Sequence, residues 1–150
     1  MRRDLGLPIA AAAMPGHLVI EPFEVDQAGA CRDLMNRAYG EAGYEPVPVG
    51  AWYNAVIGDT EYDPALIWVA KSENAVVGLC QCWRMPFVKD LVVDRAWRRL
   101  GIGAALLTHA LTTFAARGAA SVDLKTDIEN TKAQSLYRRL GFEIVERIAD

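Results

Sequence analysis

Hydrophobic and polar positions follow two different periods along the chain. Alternation, or short apolar runs bounded by turn residues, predicts strands at 17–25, 66–70, 76–83, 87–93, 121–126 and 142–148. Apolar residues three and four positions apart predict a helix after Asp26 that ends at Gly40, a short helix near 51–57, and long helices over 101–117 and from Asn130 or Thr131 to Gly141. The order β-α-(α)-β-β-β-α-β-α-β predicts one mixed α/β domain.

Residues 1–16 precede the first predicted strand. A small apolar run follows Arg2 and Arg3, but it is short, contains Pro8 and follows Asp4, so a secretory signal is disfavoured. It also lacks the ~20 apolar residues of a membrane span. We therefore expect a flexible lead-in over 1–16 and a folded domain over 17–150.

Composition narrows the classes of protein that fit. The chain has 150 residues, of which 52% are hydrophobic and 23% charged, and this excludes disorder for most of its length. The net charge of −3 argues against a nucleic-acid partner. Three cysteines without a C-x-x-C pair predict neither a metal site nor a disulfide framework, and they indicate a cytoplasmic compartment. Cys80 and Cys82 alternate within an apolar run, so we expect both on one face of a strand.

An anion site is predicted where the strand at 87–93 leads into the helix at 101–117. Arg98 and Arg99 lie in the turn, and Gly101-x-Gly103 opens the helix. The first turn of a helix presents unpaired backbone N–H groups and the positive end of its dipole, which suits a pyrophosphate. Taken alone, these residues also fit a tight turn with solvated arginines.

Two motifs together resemble a known family. Arg98-x-x-Gly101-x-Gly103 resembles the first signature of the GNAT superfamily of acyl-CoA-dependent N-acetyltransferases, and Asn130-x-x-Ala133-x-x-x-Tyr137-x-x-x-Gly141-Phe142 resembles the second. The order of elements from His17 onward also matches. The resemblance implies an N-acetyltransferase domain over 17–150, with a mixed central sheet that splays between its fourth and fifth predicted strands and is flanked by helices.

The resemblance also implies acetyl-CoA as the acyl-donor cosubstrate, with no metal. The pantetheine arm is expected in the splay, beside main-chain groups that pair with it and polarise the thioester carbonyl, and the pyrophosphate at the anion turn. Asn130 is expected to bond the pantetheine, and Tyr137 to reach the sulfur. The implied cofactor-binding residues are Leu91, Val92, Val93, Arg98, Arg99, Leu100, Gly101, Ile102, Gly103, Ala104, Asn130 and Tyr137.

Two residues are candidates for proton transfer. Tyr137 can protonate the leaving thiolate as a general acid, although a helix-face tyrosine packed in the core is the alternative. Asp90 resembles the acid that meets the acceptor amine in spermidine/spermine-type members, and its alternative is a surface ion pair. Lys89 replaces the first acid of that type, which disfavours a polyamine substrate. Lys125 stands where N-terminal acetyltransferases of ribosomal proteins carry a glutamate, which disfavours that subfamily.

The charge distribution suggests an acceptor. Residues 38–70 contain no Lys or Arg, and their acidic and aromatic side chains either attract a cationic amine or form a solvated loop; they are Glu41, Glu45, Asp59, Glu61, Asp63, Trp52, Tyr53 and Tyr62. We expect acetyl transfer to a primary amine of a small molecule or peptide, by direct attack in a ternary complex. The alternative is a non-catalytic acyl-CoA-binding or sensing domain. Neither a nucleic-acid nor a membrane partner is expected.

An edge of the sheet is a further expectation. Many members of the family continue beyond the Gly-Phe strand into another strand, whereas the sequence extends only to Asp150. We therefore expect an uncovered edge that a second copy of the chain can pair with, giving a homodimer.

Overall fold

The computed structural model describes residues 1–13 and 16–148. Its strands are β1 Arg2–Asp4, β2 Leu18–Pro22, β3 Ile67–Ser72, β4 Ala75–Trp83, β5 Phe87–Val93, β6 Ser121–Leu124 and β7 Phe142–Glu143. Its helices are α1 Ala28–Gly40, α2 Val49–Gly58, α3 Ile102–Ala116 and α4 Thr131–Arg139. The strands form one sheet in the order β2-β3-β4-β5-β6-β1-β7, in which β5 and β6 are parallel and the other pairs are antiparallel. The predicted mixed α/β fold is confirmed.

Every predicted helix and strand is present, but several begin or end at other residues than the sequence predicts. The helix that was expected to begin after Asp26 instead follows a turn of 3-10 helix, where Glu24 and Gln27 form a reciprocal capping box. The last strand, predicted over 142–148, contains only Phe142 and Glu143. Its neighbour β1 pairs with it at two positions, Arg2↔Glu143 and Arg3↔Phe142, so the ladder ends there.

The lead-in departs most from expectation. Residues 2–4 form β1 between β6 and β7, so this part of the chain is not the flexible segment that was expected. The buried Arg3 side chain secures it: Nε donates to the Leu140 carbonyl at 2.8 Å and Nη2 to the Pro8 carbonyl at 2.7 Å. Nη1 donates to the carbonyls of Asp4 and Leu7. Residues 14 and 15 of the predicted lead-in lie outside the described residues.

Apolar side chains cover both faces of the sheet. One cluster lies beneath α3 and includes Cys80 and Cys82, whose sulfurs are 3.8 Å apart, as expected for two residues on one face. The other cluster joins α1 and α2 to the opposite face. Burial of both faces stabilises the sheet through the hydrophobic effect. Among the described residues, no helix is both long and apolar enough to cross a bilayer.

The sheet opens between β5 and β6. The two strands pair only at Phe87↔Asp123 and Val88↔Leu124, while β5 continues to Val93 alongside β4. Because β1 adds a strand before the predicted ones, β5 and β6 are the fourth and fifth strands of the sequence prediction. The predicted splay is therefore confirmed.

Candidate active site

The open edge of β5 forms one wall of the gap. Leu91, Val92 and Val93 pair with β4 on their other side, at Cys80, Leu79 and Gly78. Beyond Val88 no strand of the described chain pairs with the gap side of β5. The Val93 carbonyl accepts a hydrogen bond from Arg98 Nε at 3.1 Å, which ties the end of β5 to the following turn.

The turn before α3 is the place where the sequence predicts an anion site. Arg99 and Gly101 both have positive φ angles, 68° and 84°. The first bond within α3 runs from the Ala105 N–H to the Gly101 carbonyl at 2.9 Å, so the three preceding N–H groups of the helix have no i−4 partner. Glycine is required at 101, since a Cβ there would lie 2.9 Å from the Ala13 carbonyl oxygen. Free N–H groups at the start of a helix are compatible with the anion site that the sequence predicts, which stays a prediction.

Arg98 does not extend freely from this turn. Its guanidinium makes two hydrogen bonds to the Glu41 carboxylate at the end of α1, at 2.6 and 3.1 Å, and Arg95 Nε lies 3.8 Å from the same carboxylate. The hydrogen bond from Arg98 lowers the pKa of Glu41. The basic turn and the start of the acidic stretch, separate in the sequence, therefore meet in the fold.

Helix α4 supplies two of the predicted residues. Asn130 caps the helix, its Oδ1 accepting from the Ala133 N–H at 3.1 Å, while its amide nitrogen has no acceptor among the residues that the structure describes. Tyr137 is half-buried, and its ring centroid lies 5.9 Å from that of Phe142. Burial raises the pKa of Tyr137, with a smaller contribution from the Cys80 thiol. The phenol therefore stays protonated through neutral pH.

Asp90 is buried on β5, only 9% exposed, although its Oδ2 lies 3.6 Å from the Nζ of the more exposed Lys89, so the ion pair of the alternative is present with a buried carboxylate. The Tyr39 hydroxyl, from α1, donates to its Oδ1. Burial raises the pKa of Tyr39, and the charge of Asp90 raises it further. Tyr39 was not predicted as a site residue. It lies beside the predicted apolar face of α1, and its partner Asp90 is 51 residues away in the sequence, so only the fold brings the two together.

Gln81 is a second residue that the sequence analysis missed. It pairs directly with Asp90 across β4 and β5, so the two side chains share a face of the sheet. Gln81 is 3% exposed, and its Oε1 and the Asp90 Oδ2 have no hydrogen-bond donor among the described residues. In the sequence, Gln81 is marked only by being a single polar amide between Cys80 and Cys82 in an otherwise apolar run.

The acidic and aromatic stretch is only partly available to a ligand. Trp52 is 7% exposed and packs edge-on against Phe23 in the core, so it does not line an open wall. Asp63 is bound to Arg117 at 2.9 Å. Tyr53 and Tyr62 are half-buried beside the same cluster.

Comparison with known proteins identifies the family. The model described as the acetyltransferase (GNAT) family matches residues 29–142. The chain belongs to this family. It is thus a domain of the acyl-CoA-dependent acetyltransferase class, in agreement with the resemblance of its two motifs.

Individual relatives agree with this assignment. A mycothiol acetyltransferase from Clavibacter michiganensis subsp. michiganensis is 29% identical over 135 residues, covering 86% of this chain and 44% of that protein. A GCN5-related N-acetyltransferase from Sphaerobacter thermophilus has a TM-score of 0.80 at 26% identity, covering 93% of this chain and 45% of that one. An aminoglycoside N-acetyltransferase in complex with CoA has a TM-score of 0.74 at 17% identity, covering 89% and 93%, which shows a shared fold. The chain spans about 44% of the mycothiol acetyltransferase it matches.

Proposed function

We propose that this domain transfers an acetyl group from acetyl-CoA to a primary amine of a small molecule or peptide, by direct attack in a ternary complex. The observation that carries the proposal is the gap between β5 and β6, with buried Asp90 on β5 and the positive-φ turn before α3 following the end of that strand. Half-buried Tyr137 packs against Phe142, and the Cys80 thiol of β4 contributes to its raised pKa. The names of the relatives, which include acetyltransferases for mycothiol and aminoglycosides, support an amine acceptor.

The chain offers groups suited to each part of acetyl-CoA, which supplies an acetyl thioester. The α3 turn, from Arg98 to Ala104, is proposed to hold the pyrophosphate through backbone N–H groups and the side chains of Arg98 and Arg99. The open edge at Leu91, Val92 and Val93 is proposed to pair with the pantetheine, together with the Asn130 amide nitrogen. A backbone N–H on this edge can also stabilise negative charge on the acetyl oxygen.

Tyr137 and Asp90 are proposed to move the protons. The Tyr137 hydroxyl donates its proton to the departing sulfur; a phenol is protonated at neutral pH, and burial raises its pKa further. The Asp90 carboxylate receives the proton from the acceptor nitrogen, with Tyr39 holding the carboxylate through Oδ1. Need for this base depends on the acceptor, since a lysine-like amine with pKa ~10.4 is almost fully protonated at pH 7, whereas an α-amine with pKa ~7.8 is not.

Two measurements test the proposal. Acetyl-CoA should raise the melting temperature, because a ligand that binds only the folded state stabilises it. Release of free thiol should then depend on an added amine, measured across a panel of small-molecule and peptide amines. Absence of thermal stabilisation would refute the cofactor site. Stabilisation without thiol release from any amine would favour the acyl-CoA-binding or sensing alternative.

Compartment and assembly also remain proposals. The three buried free cysteines support a cytoplasmic location. A homodimer through the outer edge of β7 is supported by the exposed Ile144, Val145 and Ile148 beyond it. A molecular mass that stays monomeric at every protein concentration would exclude the dimer.

A further inference from the structure

A bulge in β5 places a lysine beside the candidate base. Gln81 pairs with Asp90 and Cys82 pairs with Val88, so Lys89 is the extra residue of β5 at this point. A bulge interrupts the strict alternation of side chains between the two faces. Lys89 Nζ consequently lies 3.6 Å from Asp90 Oδ2 rather than on the opposite face.

The ammonium of Lys89 is held loosely. Its distance to Oδ2 exceeds that of a hydrogen bond, and the lysine side chain is 41% exposed. The same ammonium lies 5.8 Å from the centre of the Trp83 ring, within the range of a cation–π interaction. The chain thus brings a primary alkylammonium of its own to the edge of the buried pair of Asp90 and Gln81.

The buried oxygens are the second, independent observation. Asp90 Oδ2 and Gln81 Oε1 are acceptors on directly opposed residues, and neither receives a hydrogen bond within the described chain. Leaving two such atoms buried without donors is costly, which points to a ligand that supplies donors. A primary ammonium has three N–H donors on one nitrogen and a positive charge that suits the carboxylate.

We propose that Asp90 Oδ2, Gln81 Oε1 and the face of Trp83 form a subsite for a primary alkylammonium, and that Lys89 occupies its entrance until an acceptor displaces it. The inference deepens the proposed function, on which it rests for the identity of the ligand as the acceptor. Gln81 is then a specificity-determining residue and Lys89 an internal competitor. A quaternary ammonium, which has no N–H donor, is a poor ligand for this subsite.

The experiment uses n-butylammonium chloride as the probe, without any acyl donor. The melting temperature of the whole chain is followed against probe concentration at constant ionic strength, and a dissociation constant is extracted. n-Butanol serves as the uncharged comparison and tetramethylammonium as the charged one without donors. We expect n-butylammonium alone to stabilise the protein.

Variants separate the three roles. Lys89→Met should tighten n-butylammonium binding about fivefold, the scale of one weak ion pair. Asp90→Asn keeps the shape and an acceptor for Tyr39, and should weaken binding at least roughly tenfold. Gln81→Met should weaken it about fivefold. Lys71→Met is the matched control: Lys71 is bound to Glu21 at 3.1 Å, four residues further along β3 than the partner of Gln81. It should leave the dissociation constant unchanged.

Lys89→Met is expected to tighten n-butylammonium binding, whereas Asp90→Asn and Gln81→Met are expected to weaken it. Residues with a purely structural role would not change the dissociation constant in opposite directions. Equal stabilisation by n-butanol, or a Lys89→Met variant that binds no more tightly than Lys71→Met, would overturn the subsite. The outcome is independent of acetyl-CoA binding and thiol release. A domain that binds acetyl-CoA but shows no ammonium preference would therefore refute this inference and leave the proposed function standing.

Discussion

At the scale of single residues, the candidate site depends on the removal of polar groups from water. Tyr137 and Tyr39 both have raised pKa values, and burial is the main cause for each. Their surroundings differ, because Tyr39 already donates to Asp90 while Tyr137 packs against Phe142. Tyr39 therefore suits a role in positioning the carboxylate, and Tyr137 suits delivery of a proton.

Replacement of Tyr137 by Phe tests that assignment. We expect kcat to fall by about 100-fold, the usual scale of general acid catalysis, with the affinity for acetyl-CoA little changed. Thiol release with a saturating amine measures the rate. Tyr44→Phe, which alters an exposed tyrosine, is the matched control and should retain activity. An undiminished rate in the Tyr137 variant would remove this residue from the mechanism.

Glu41 and Arg98 give a second residue-scale prediction. The proposed pyrophosphate would compete with the Glu41 carboxylate for the Arg98 guanidinium, because Glu41 already makes two hydrogen bonds to Arg98. Glu41→Gln should therefore bind acetyl-CoA more tightly, by about two- to fivefold. Calorimetric titration measures the affinity, with exposed Glu143→Gln as the control. Weaker binding would mean that Glu41 orients Arg98 rather than competing for it.

At the scale of elements, the turn between α4 and β7 is closed by a side chain from the opposite end of the chain. Gly141 has a φ of +94°, and a Cβ there would lie 2.6 Å from Arg3 Nε. Arg3 Nε donates to the Leu140 carbonyl in the same turn. Glycine is therefore favoured at position 141 for two reasons: the backbone there is left-handed, and a side chain would collide with the buried Arg3 guanidinium.

Two alanine substitutions separate these needs. Gly118 after α3 has a similar φ of +85° but open space around it, so Gly118→Ala should cost about 1 kcal/mol of unfolding free energy through strain alone. Gly141→Ala should cost about 3 kcal/mol, since it also displaces Arg3. Urea unfolding measures both values. Equal losses would show that the Arg3 contact contributes little.

Elements with a strong hydrophobic period were predictable, and those defined by distant contacts were not. The bounds 87–93 of β5 follow from its sequence, and the cap at Asn130 was readable from residue type. Strand β1 was missed because Arg2-Arg3-Asp4 carries no apolar alternation, and its place depends on partners at 121–123 and 142–143. The same holds in the candidate site: sequence motifs predict the glycines and Tyr137, whereas Tyr39 and Gln81 reach Asp90 only through contacts across the fold.

At the scale of the whole molecule, ion pairs join parts of the chain that are far apart in sequence. Arg2 binds Asp123 at 2.8 Å across β1 and β6, and the hydrogen bond from Arg2 lowers the pKa of Asp123. The hydrogen bond from Arg98 lowers the pKa of Glu41 in the same way. A carboxyl whose folded-state pKa is lowered stabilises the fold above its unfolded pKa, and loses that contribution as pH falls through the folded value.

Acidification should therefore weaken the fold, because it protonates the carboxyl groups of Asp123 and Glu41. We expect the unfolding free energy to decline as pH falls below roughly 4, the ordinary range for Asp and Glu. Asp123→Asn should start less stable at pH 7 and show a shallower decline, because it has no proton to take up at that position. Urea unfolding between pH 3 and pH 7 provides the comparison. Parallel curves for both proteins would contradict a role for this pair.

The position of β1 has a consequence for how the molecule forms. Its partners on β6 lie 121 residues further along, as the Arg2–Asp123 contact shows, so this pairing closes one of the longest loops in the fold. During synthesis β1 is made before its partners, so it stays unpaired until β6 and β7 have been made. Its charged composition, Arg2-Arg3-Asp4, protects it meanwhile, because charged strands are poor templates for aggregation. The same charged residues that give this strand no hydrophobic pattern thus disfavour its aggregation before it pairs with β6 and β7.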